Sequence, residues 1–258
     1  LGLLAIPVVG YVVFTGRNLT FLNLSSLHTF YRARLVRSYM GAANASRFGA
    51  RGALGAISEV TTQMPVGQEG PSIDDVMADD DISLTTYRPQ DSGGPVHLIN
   101  VCVNQTQDPR GRIFNQDRRG LSLTVASGGL MRASLEDWSQ LSKTSGMSVG
   151  RWMAISGAAV APGMGFQTRG GLAALMTFAG VRLGYWWSKE ERDDTHGRAR
   201  TNPLSKSKSL IAEVFGTFEG TAGPDWFLSD GGHFENTAAY ALLAQHADVI
   251  VVADCGAD

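Results

Sequence analysis

Residues 226–254 read WFLSDGGHFENTAAYALLAQHADVIVVAD, and this stretch decides which fold the sequence predicts. The run 226–229 is typical of a short apolar strand, residues 234–246 have the composition of a helix, and 248–254 form a second, strongly apolar run. A strand, a helix and a strand in this order predict a βαβ unit, whose two strands lie parallel in one sheet. We therefore expect an α/β fold with a mainly parallel central sheet.

The rest of the chain supplies further elements for such a fold. The apolar runs 96–104 and 121–126 predict two strands that a long polar loop joins as a hairpin. From Ser25 onward, apolar residues recur at three- and four-residue spacing, which predicts a helix with Ser25 or Ser26 as its N-cap. Three more helices are predicted, over residues 148–160, 171–187 and 206–218.

The first sixteen residues, LGLLAIPVVGYVVFTG, carry no charge. This run is shorter than the roughly 20 residues of a spanning helix, and it lacks the features of a signal peptide. Its Pro7 and Gly10 favour the end of a transmembrane helix over a buried core segment. We expect residues 1–16 to be that end, in a chain that is part of a longer protein. Residues 17–258 then form part of one catalytic domain, in which 41–95 are a long irregular excursion.

Charge and cysteine content exclude some classes of partner and fold. The formal net charge is −2 and the sequence pI is about 6.2, so no overall positive field attracts nucleic acid, and no nucleic-acid partner is expected. Cys102 and Cys255 are too few for a disulfide scaffold. They fit a reducing compartment, and whether they form a bridge stays open.

Three serines lie in stretches that resemble nucleophile motifs of serine hydrolases. Ser92, in QDSGGP, follows Gln90 where a trypsin-like protease needs a glycine, and a Gly-Gly-Pro turn explains these residues equally well. Ser148, in GMSVG, matches the G-x-S-x-G elbow, but no strand precedes it, so a helix cap is the favoured interpretation. Ser156, in AISGAA, lacks the first glycine of that elbow. None of the three is a convincing nucleophile.

Asp230 is the strongest candidate for catalysis. It ends a short apolar strand, and the two glycines that follow allow a sharp turn and a close approach of other backbone. Such a turn would place the carboxylate at the end of a sheet, where open α/β folds have their sites. The alternative is that Asp230 only caps the next helix. A metal site of Asp230, His233 and Glu235 is disfavoured because no second ligand pair at zinc spacing is present.

Four blocks of the chain resemble the patatin-like phospholipases, especially large bacterial members that are membrane-bound. The blocks make up 79 of the 258 residues and occur in the family's order: NLSSLHTFYRARLVRSYMGA (23–42), GGPVHLINVCVNQT (93–106), MAISGAAVAPGMG (153–165) and FLSDGGHFENTAAYALLAQHADVIVVADCGAD (227–258). The resemblance implies a three-layer α/β/α fold around a mainly parallel sheet.

The resemblance also implies roles for individual residues. The family uses a Ser–Asp dyad whose acid lies in an Asp-Gly-Gly motif, so Asp230 would be the catalytic acid, with Gly231 and Gly232 as its turn and oxyanion support. Ser156 and Gly157 belong to a block that lines the site in this family. His233 and Asn236 would also line the site and brace the turn.

The implied activity is that of a lipid acyl hydrolase, a phospholipase or esterase. The family's glycine-rich loop and nucleophilic serine precede these blocks, so we expect them upstream of Leu1. A phospholipid or other lipid ester would be the substrate, a membrane would be a partner, and no metal or cofactor is expected. The site would lie on the cytoplasmic side of that membrane. Two alternatives stay open: a membrane scaffold of the same family that has lost catalysis, and an α/β-hydrolase with Ser148 as nucleophile and His233 or His246 as its histidine.

Overall fold

The architecture was determined from a computed structural model. The structure describes residues 18–41, 79–107, 119–142, 146–188 and 204–253, and it also describes the single residues Gly10, Val12, Phe14, Gly16, Asn44 and Val76.

Six strands form one sheet in this part of the chain, and every pair of neighbouring strands is antiparallel. In chain order they are β1 (Leu98–Asn104), β2 (Gly120–Ala126), β3 (Leu130–Ala133), β4 (Ser139–Gln140), β5 (Tyr185–Trp187) and β6 (Trp226–Asp230). Their order across the sheet is β4-β3-β2-β1-β6-β5, and the sheet curls into a half-barrel. The prediction of a mainly parallel sheet is therefore wrong, and so is the three-layer α/β/α architecture that the resemblance implied.

The error arises from the run 248–254, which was expected to be the second strand of a βαβ unit. The described residues of this run, 248–253, belong to no strand, and Val249 and Val251 are 80% and 88% exposed. The helix before it is also shorter than expected and spans only Ala239–Leu243. Among the described residues no strand pairs parallel with this sheet, and β6 lies between β1 and β5, antiparallel to both.

β5 is a second departure from the predicted elements. The helix expected over 171–187 ends at Ala179, because Gly180 adopts a left-handed conformation with φ of 68° and stops it. The chain then becomes extended, and three consecutive aromatic residues, Tyr185–Trp187, pair with β6. Aromatic side chains favour strands, because they pack well on a pleated surface.

The other predicted elements are confirmed within a few residues, but the N-cap predicted at Ser25 or Ser26 is not: the helix begins at His28 after Leu27, and Ser26 Oγ accepts from the His28 N–H at 3.3 Å. β1 and β2 form the expected antiparallel hairpin. The helices are α1 (Thr20–Leu24), α2 (His28–Leu35, continued by a π-helical turn Val36–Met40), α3 (Val149–Ser156), α4 (Gly170–Ala179), α5 (Ser205–Phe215) and α6 (Ala239–Leu243).

The two faces of the sheet bury different clusters. On one face, Val101 of β1 and Leu228 of β6 pack against Trp152 of α3, and all three are almost completely buried. On the other face, Phe227 packs with Trp186 and other aromatic residues. Side chains alternate between the faces of a strand, so the position of Leu228 also determines the direction of the residue two positions later. The last residue of β6, Asp230, therefore shares the face that α3 covers.

No helix among the described residues combines the length and the apolar character needed to cross a membrane. The predicted transmembrane end at 1–16 and most of the excursion at 41–95 fall on residues outside the described ranges. The predicted domain boundaries therefore stay predictions.

Candidate functional site

Asp230 occupies the point where β6 ends and a tight turn begins. A 3-10 turn follows at Gly231–His233, and the backbone N–H of Gly232 donates a 2.7 Å hydrogen bond to Asp230 Oδ1. Asp230 therefore caps the turn, which was the alternative interpretation of its sequence. This hydrogen bond uses only one of the two carboxylate oxygens. The structure records no partner for Oδ2 among the described residues.

The first glycine of the turn is required by how closely the turn approaches β1. A Cβ atom on Gly231 would lie 2.6 Å from the carbonyl oxygen of Asn100. A backbone oxygen cannot move aside as a flexible side chain can, so a larger residue would push the turn away from β1. The backbone N–H of the second glycine, Gly232, donates to Asp230 Oδ1. Both glycines therefore support the turn, and the Gly232 N–H is already engaged and does not point to an oxyanion.

The Asp230 carboxylate lines a cleft of about 370 Å³ between β1, α3 and the turn. One part of the lining is polar, with Asp230, Glu235 and Asn236. The other part is apolar and comes from Leu98 and Ile99 of β1 and from Val149 and Met153 of α3. Clefts of roughly 300–1,000 Å³ with apolar walls and a few polar groups are typical of sites for small molecules. The cleft can accept an amphiphilic molecule whose polar group lies beside the carboxylate.

A smaller cavity, of about 180 Å³, lies beside α5. Its charged residues include Lys208 and Glu219, which pair with each other at 2.8 Å on the protein surface. Because those charges already satisfy each other, the Asp230 cleft is the stronger candidate for chemistry.

Ser156 lines the same cleft, as predicted, but its hydroxyl is engaged elsewhere. Ser156 Oγ donates a 2.8 Å hydrogen bond to the carbonyl oxygen of Asn100. Within the described ranges, no serine hydroxyl is recorded in a hydrogen bond with the Asp230 carboxylate. The residues that the structure describes therefore contain the acid of a possible dyad without a serine nucleophile beside it.

Tyr31 is a residue of this region that the sequence analysis missed. Its phenol oxygen lies 2.6 Å from where a Cβ atom of Gly157 would be, so the predicted site glycine is what allows the phenol to approach the end of α3. Burial raises the pKa of Tyr31, and the negative charge of Asp230 raises it further, so the phenol stays protonated as a hydrogen-bond donor. In the sequence, Tyr31 is one member of the apolar helical pattern of α2, and that pattern gave no signal of a role in a site.

His233 braces the turn from the opposite face of the sheet. Its Nε2 lies 3.1 Å from the carbonyl oxygen of Ala159, and its Nδ1 lies 2.8 Å from Ser229 Oγ. A carbonyl can only accept, so Nε2 carries the proton and Nδ1 accepts from the serine hydroxyl. Burial lowers the pKa of His233 despite the opposing effects of Asp230 and the bond to Ala159. This neutral imidazole is a structural brace.

Asn236 and Glu235 complete the polar part of the cleft. Asn236 Oδ1 lies beside Gly232, 2.8 Å from where a Cβ atom of that glycine would be. Glu235 receives hydrogen bonds from the backbone N–H groups of Thr237 and Tyr240 before α6. Burial alone would raise the pKa of Glu235, but these bonds and the Thr237 hydroxyl together lower it. Among the described residues, no group of three or more His, Cys, Asp or Glu side chains is arranged to hold a metal ion.

Ser148 is the N-cap of α3, as the favoured interpretation predicted. Its Oγ accepts from the backbone N–H of Arg151 at 3.2 Å and donates to Asp81 Oδ2 at 2.7 Å. The same Asp81 oxygen accepts from Arg32 at 2.7 Å. Neither Asp230 nor His233 is among the hydrogen-bond partners of Ser148, so the geometry gives no support to the Ser148 alternative.

The stretch QDSGGP is a turn, as predicted. Pro89–Ser92 form a 3-10 turn, and Gly93 follows it with a left-handed φ of 81°.

Comparison with protein-family models, with curated proteins and with solved structures gives no match for this chain.

Proposed function

We propose that this chain contributes the catalytic carboxylate, Asp230, to a lipid acyl hydrolase of the phospholipase or esterase type. The proposal rests on the hydrogen bonding of that carboxylate and on its position in the cleft. One oxygen is held by the Gly232 N–H, and the other has no partner among the described residues. The side chain lines a cleft that is polar beside it and apolar further along. The resemblance of four sequence blocks to patatin-like phospholipases supports the same activity, although the fold expected from it is wrong.

The lining of the cleft favours an ester with an apolar acyl group. Leu98, Ile99, Val149 and Met153 offer a wall without charge, against which an acyl chain would lose its contact with water. Burial of apolar surface is worth roughly 25 cal/mol per Å², so such a wall favours longer acyl groups over acetate. The ester group would then lie at the polar part, beside Asp230.

The chemistry would be acyl transfer through a serine that polypeptide upstream of Leu1 supplies. The serine Oγ attacks the ester carbonyl carbon while its proton passes to Asp230 Oδ2. The tetrahedral intermediate expels the alcohol, which takes that proton from Asp230. Water then attacks the acyl-serine in the same way, releasing the fatty acid and returning the proton to the serine. The Gly232 N–H holds the carboxylate in one orientation throughout these steps.

The proposal is tested in the full-length protein with Asp230→Asn. Asparagine keeps an oxygen that accepts from Gly232, so the turn is preserved while the base is lost. Hydrolysis of a medium-chain p-nitrophenyl ester and of a phospholipid should fall about 10²-fold to 10⁴-fold. Ser156→Ala is the matched control, because this serine lines the same cleft but bonds to Asn100. Its activity should stay within a few fold of the parent. Full activity in Asp230→Asn would refute the proposal.

A membrane scaffold without catalysis is the second candidate. It is favoured by one observation, that no serine hydroxyl among the described residues bonds to Asp230. The two candidate functions predict different behaviour of the full-length protein without any substitution. A scaffold would show no ester hydrolysis that an active-site serine reagent such as a fluorophosphonate could inhibit.

A further inference from the structure

Helix α4 exposes an apolar surface that is unusual for a helix on the outside of a protein. Its sequence, GGLAALMTFA, contains no charged residue, and only Ala173 is buried. Leu172, Leu175 and Phe178 are 39%, 65% and 80% exposed. At 100° per residue these three side chains fall within an arc of about 120°, on the side of the helix opposite Ala173. The helix therefore presents a continuous apolar stripe outward.

The segment after α4 is hydrogen-bonded to the turn between α1 and α2, where Leu24 and Leu27 are exposed. The carbonyl oxygen of Arg182 accepts from the backbone N–H of Leu27 at 3.1 Å, and its guanidinium donates to Ser25 Oγ at 2.6 Å. Val181 therefore lies beside this turn. We define the apolar face as the exposed apolar side chains of α4 and of the segments that this hydrogen bonding joins to it: Leu24, Leu27, Phe30, Leu175, Phe178 and Val181, which are between 43% and 80% exposed.

The segments around the apolar face are basic. The chain has 24 acidic residues, but residues 18–41, 164–188 and 204–212 contain none of them. The same three segments contain seven of the 22 Lys and Arg residues. Arg32, Arg182 and Lys208 are paired with carboxylates, whereas Arg34 and Arg169 are exposed with no carboxylate partner among the described residues. Lys206 lies 5.5 Å from the centre of the Phe21 ring, at the edge of the face, and Arg34 is exposed one turn after Phe30. In a protein of net charge −2, an apolar face whose described flanking segments contain no carboxylate is complementary to an anionic surface.

We propose that the apolar face docks this protein on an anionic phospholipid bilayer. The choice of lipid as the occupant rests on the charge complementarity and on the proposed action on lipid esters. The ten residues of α4 span about 15 Å, half the roughly 30 Å hydrocarbon core, so the helix lies in the interface and does not cross it. Leu175 and Phe178 enter the acyl region, and the basic side chains at the edge contact lipid phosphates.

The test follows single positions in the full-length protein with an environment-sensitive label. Leu175→Cys carries the label NBD, in a parent with Cys255→Ser, because Cys102 is fully buried. Leu135→Cys is the matched control, since Leu135 is 66% exposed and follows β3, at the other end of the sheet from β5. Vesicles contain phosphatidylcholine and phosphatidylserine at a ratio of about seven to three. Their ether-linked chains resist hydrolysis, so the measurement does not depend on catalysis.

On binding, the label at 175 should shift its emission to shorter wavelength and be quenched by spin labels in the acyl chains. The label at 135 should do neither. Leu175→Ser with Phe178→Ser should weaken vesicle binding about tenfold or more, whereas Leu135→Ser with Leu243→Ser should leave it unchanged. Pure phosphatidylcholine should bind the parent weakly. Asp230→Asn should bind like the parent, so loss of hydrolysis and loss of docking are separate results.

Three outcomes would overturn the proposal. The parent protein could fail to bind the anionic vesicles. The label at 175 could stay in water while the protein is bound, which would assign binding to another segment. Sedimentation could instead show a dimer that Leu175→Ser with Phe178→Ser converts to a monomer, which would assign the face to a second copy of the chain.

Discussion

Glu213 and Arg182 form a buried ion pair that connects three parts of the fold, and a double-mutant cycle should show how the pair acts. Both residues are almost fully buried, with 1% and 4% exposure. Arg182 Nη1 donates to Glu213 Oε2, and Trp186 Nε1 donates to Glu213 Oε1 at 2.6 Å. Arg182 Nη2 also donates to the carbonyl oxygen of Leu22 at 2.9 Å. The pair thus joins α5, β5 and α1.

Removing one charge should destabilise the protein far more than removing both. Glu213→Gln keeps an acceptor for Trp186 but leaves the Arg182 charge buried without a counter-ion, which is typically worth about 3–5 kcal/mol. Burial raises the pKa of Glu213 even though Arg182 opposes it, so desolvation outweighs the attraction within the pair. The double variant Arg182→Met/Glu213→Gln leaves no buried charge and should therefore lose no more than about 2 kcal/mol.

Urea unfolding followed by tryptophan fluorescence measures these differences. Arg182→Met alone should recover stability as the pH falls, because its unpaired Glu213 can then be protonated. The exposed pair Lys208–Glu219 is the matched control, with side chains 53% and 40% exposed. Loss of the Lys208–Glu219 ion pair in Glu219→Gln should change the free energy of unfolding by less than about 1 kcal/mol. The reasoning fails if the two buried single variants lose less than the double, or if their losses simply add.

Two further predictions concern His28 and Ser148. Burial lowers the pKa of His28 from 6.5 to about 4, although the 2.9 Å hydrogen bond that Nδ1 donates to the carbonyl oxygen of Leu183 opposes this shift; Nε2 is buried without an acceptor. The folded state then binds fewer protons than the unfolded state, so stability present above pH 6.5 is lost toward pH 4, by about 3 kcal/mol in total. Urea unfolding at pH 7, 5.5 and 4 should show this loss, and an unchanged pH dependence in His28→Gln would contradict it. Ser148→Ala should remove the cap of α3 and lower the free energy of unfolding by about 1 kcal/mol, while ester hydrolysis by the full-length protein persists; loss of hydrolysis in a folded variant would restore Ser148 as a nucleophile.

Local patterns in the sequence predicted the elements well and their arrangement poorly. The β1–β2 hairpin, α3 and α5 follow from apolar spacing and turn residues, which act within a few residues of one another. The direction of the strands in the sheet depends on which runs pair over long distances. The run 248–254 has the composition of a buried strand, yet Val249 and Val251 are largely exposed, and nothing local distinguishes an apolar run that pairs from one that does not.

The residues of the candidate site also divide into those that local sequence predicts and those that depend on long-range packing. Asp230 and its glycines could be recognised because an apolar strand followed by Asp-Gly-Gly predicts a tight turn from neighbouring residues alone. Tyr31 could not, because its position beside Gly157 depends on how α2 packs on α3, about 120 residues later in the chain. The apolar walls of the cleft were also not separable from the core, since Ile99 and Val149 belong to both.

Helix α2 connects the proposed membrane face to the cleft, which gives the two proposals a common physical basis. Phe30 belongs to the apolar face, and the next residue, Tyr31, reaches the end of α3 beside the cleft. Arg32, one residue further, bonds to Asp81, which also accepts from the backbone N–H of Gly150 at the start of α3. A bilayer that contacts Phe30 therefore lies within a few residues of contacts that hold α3, and α3 forms one wall of the cleft.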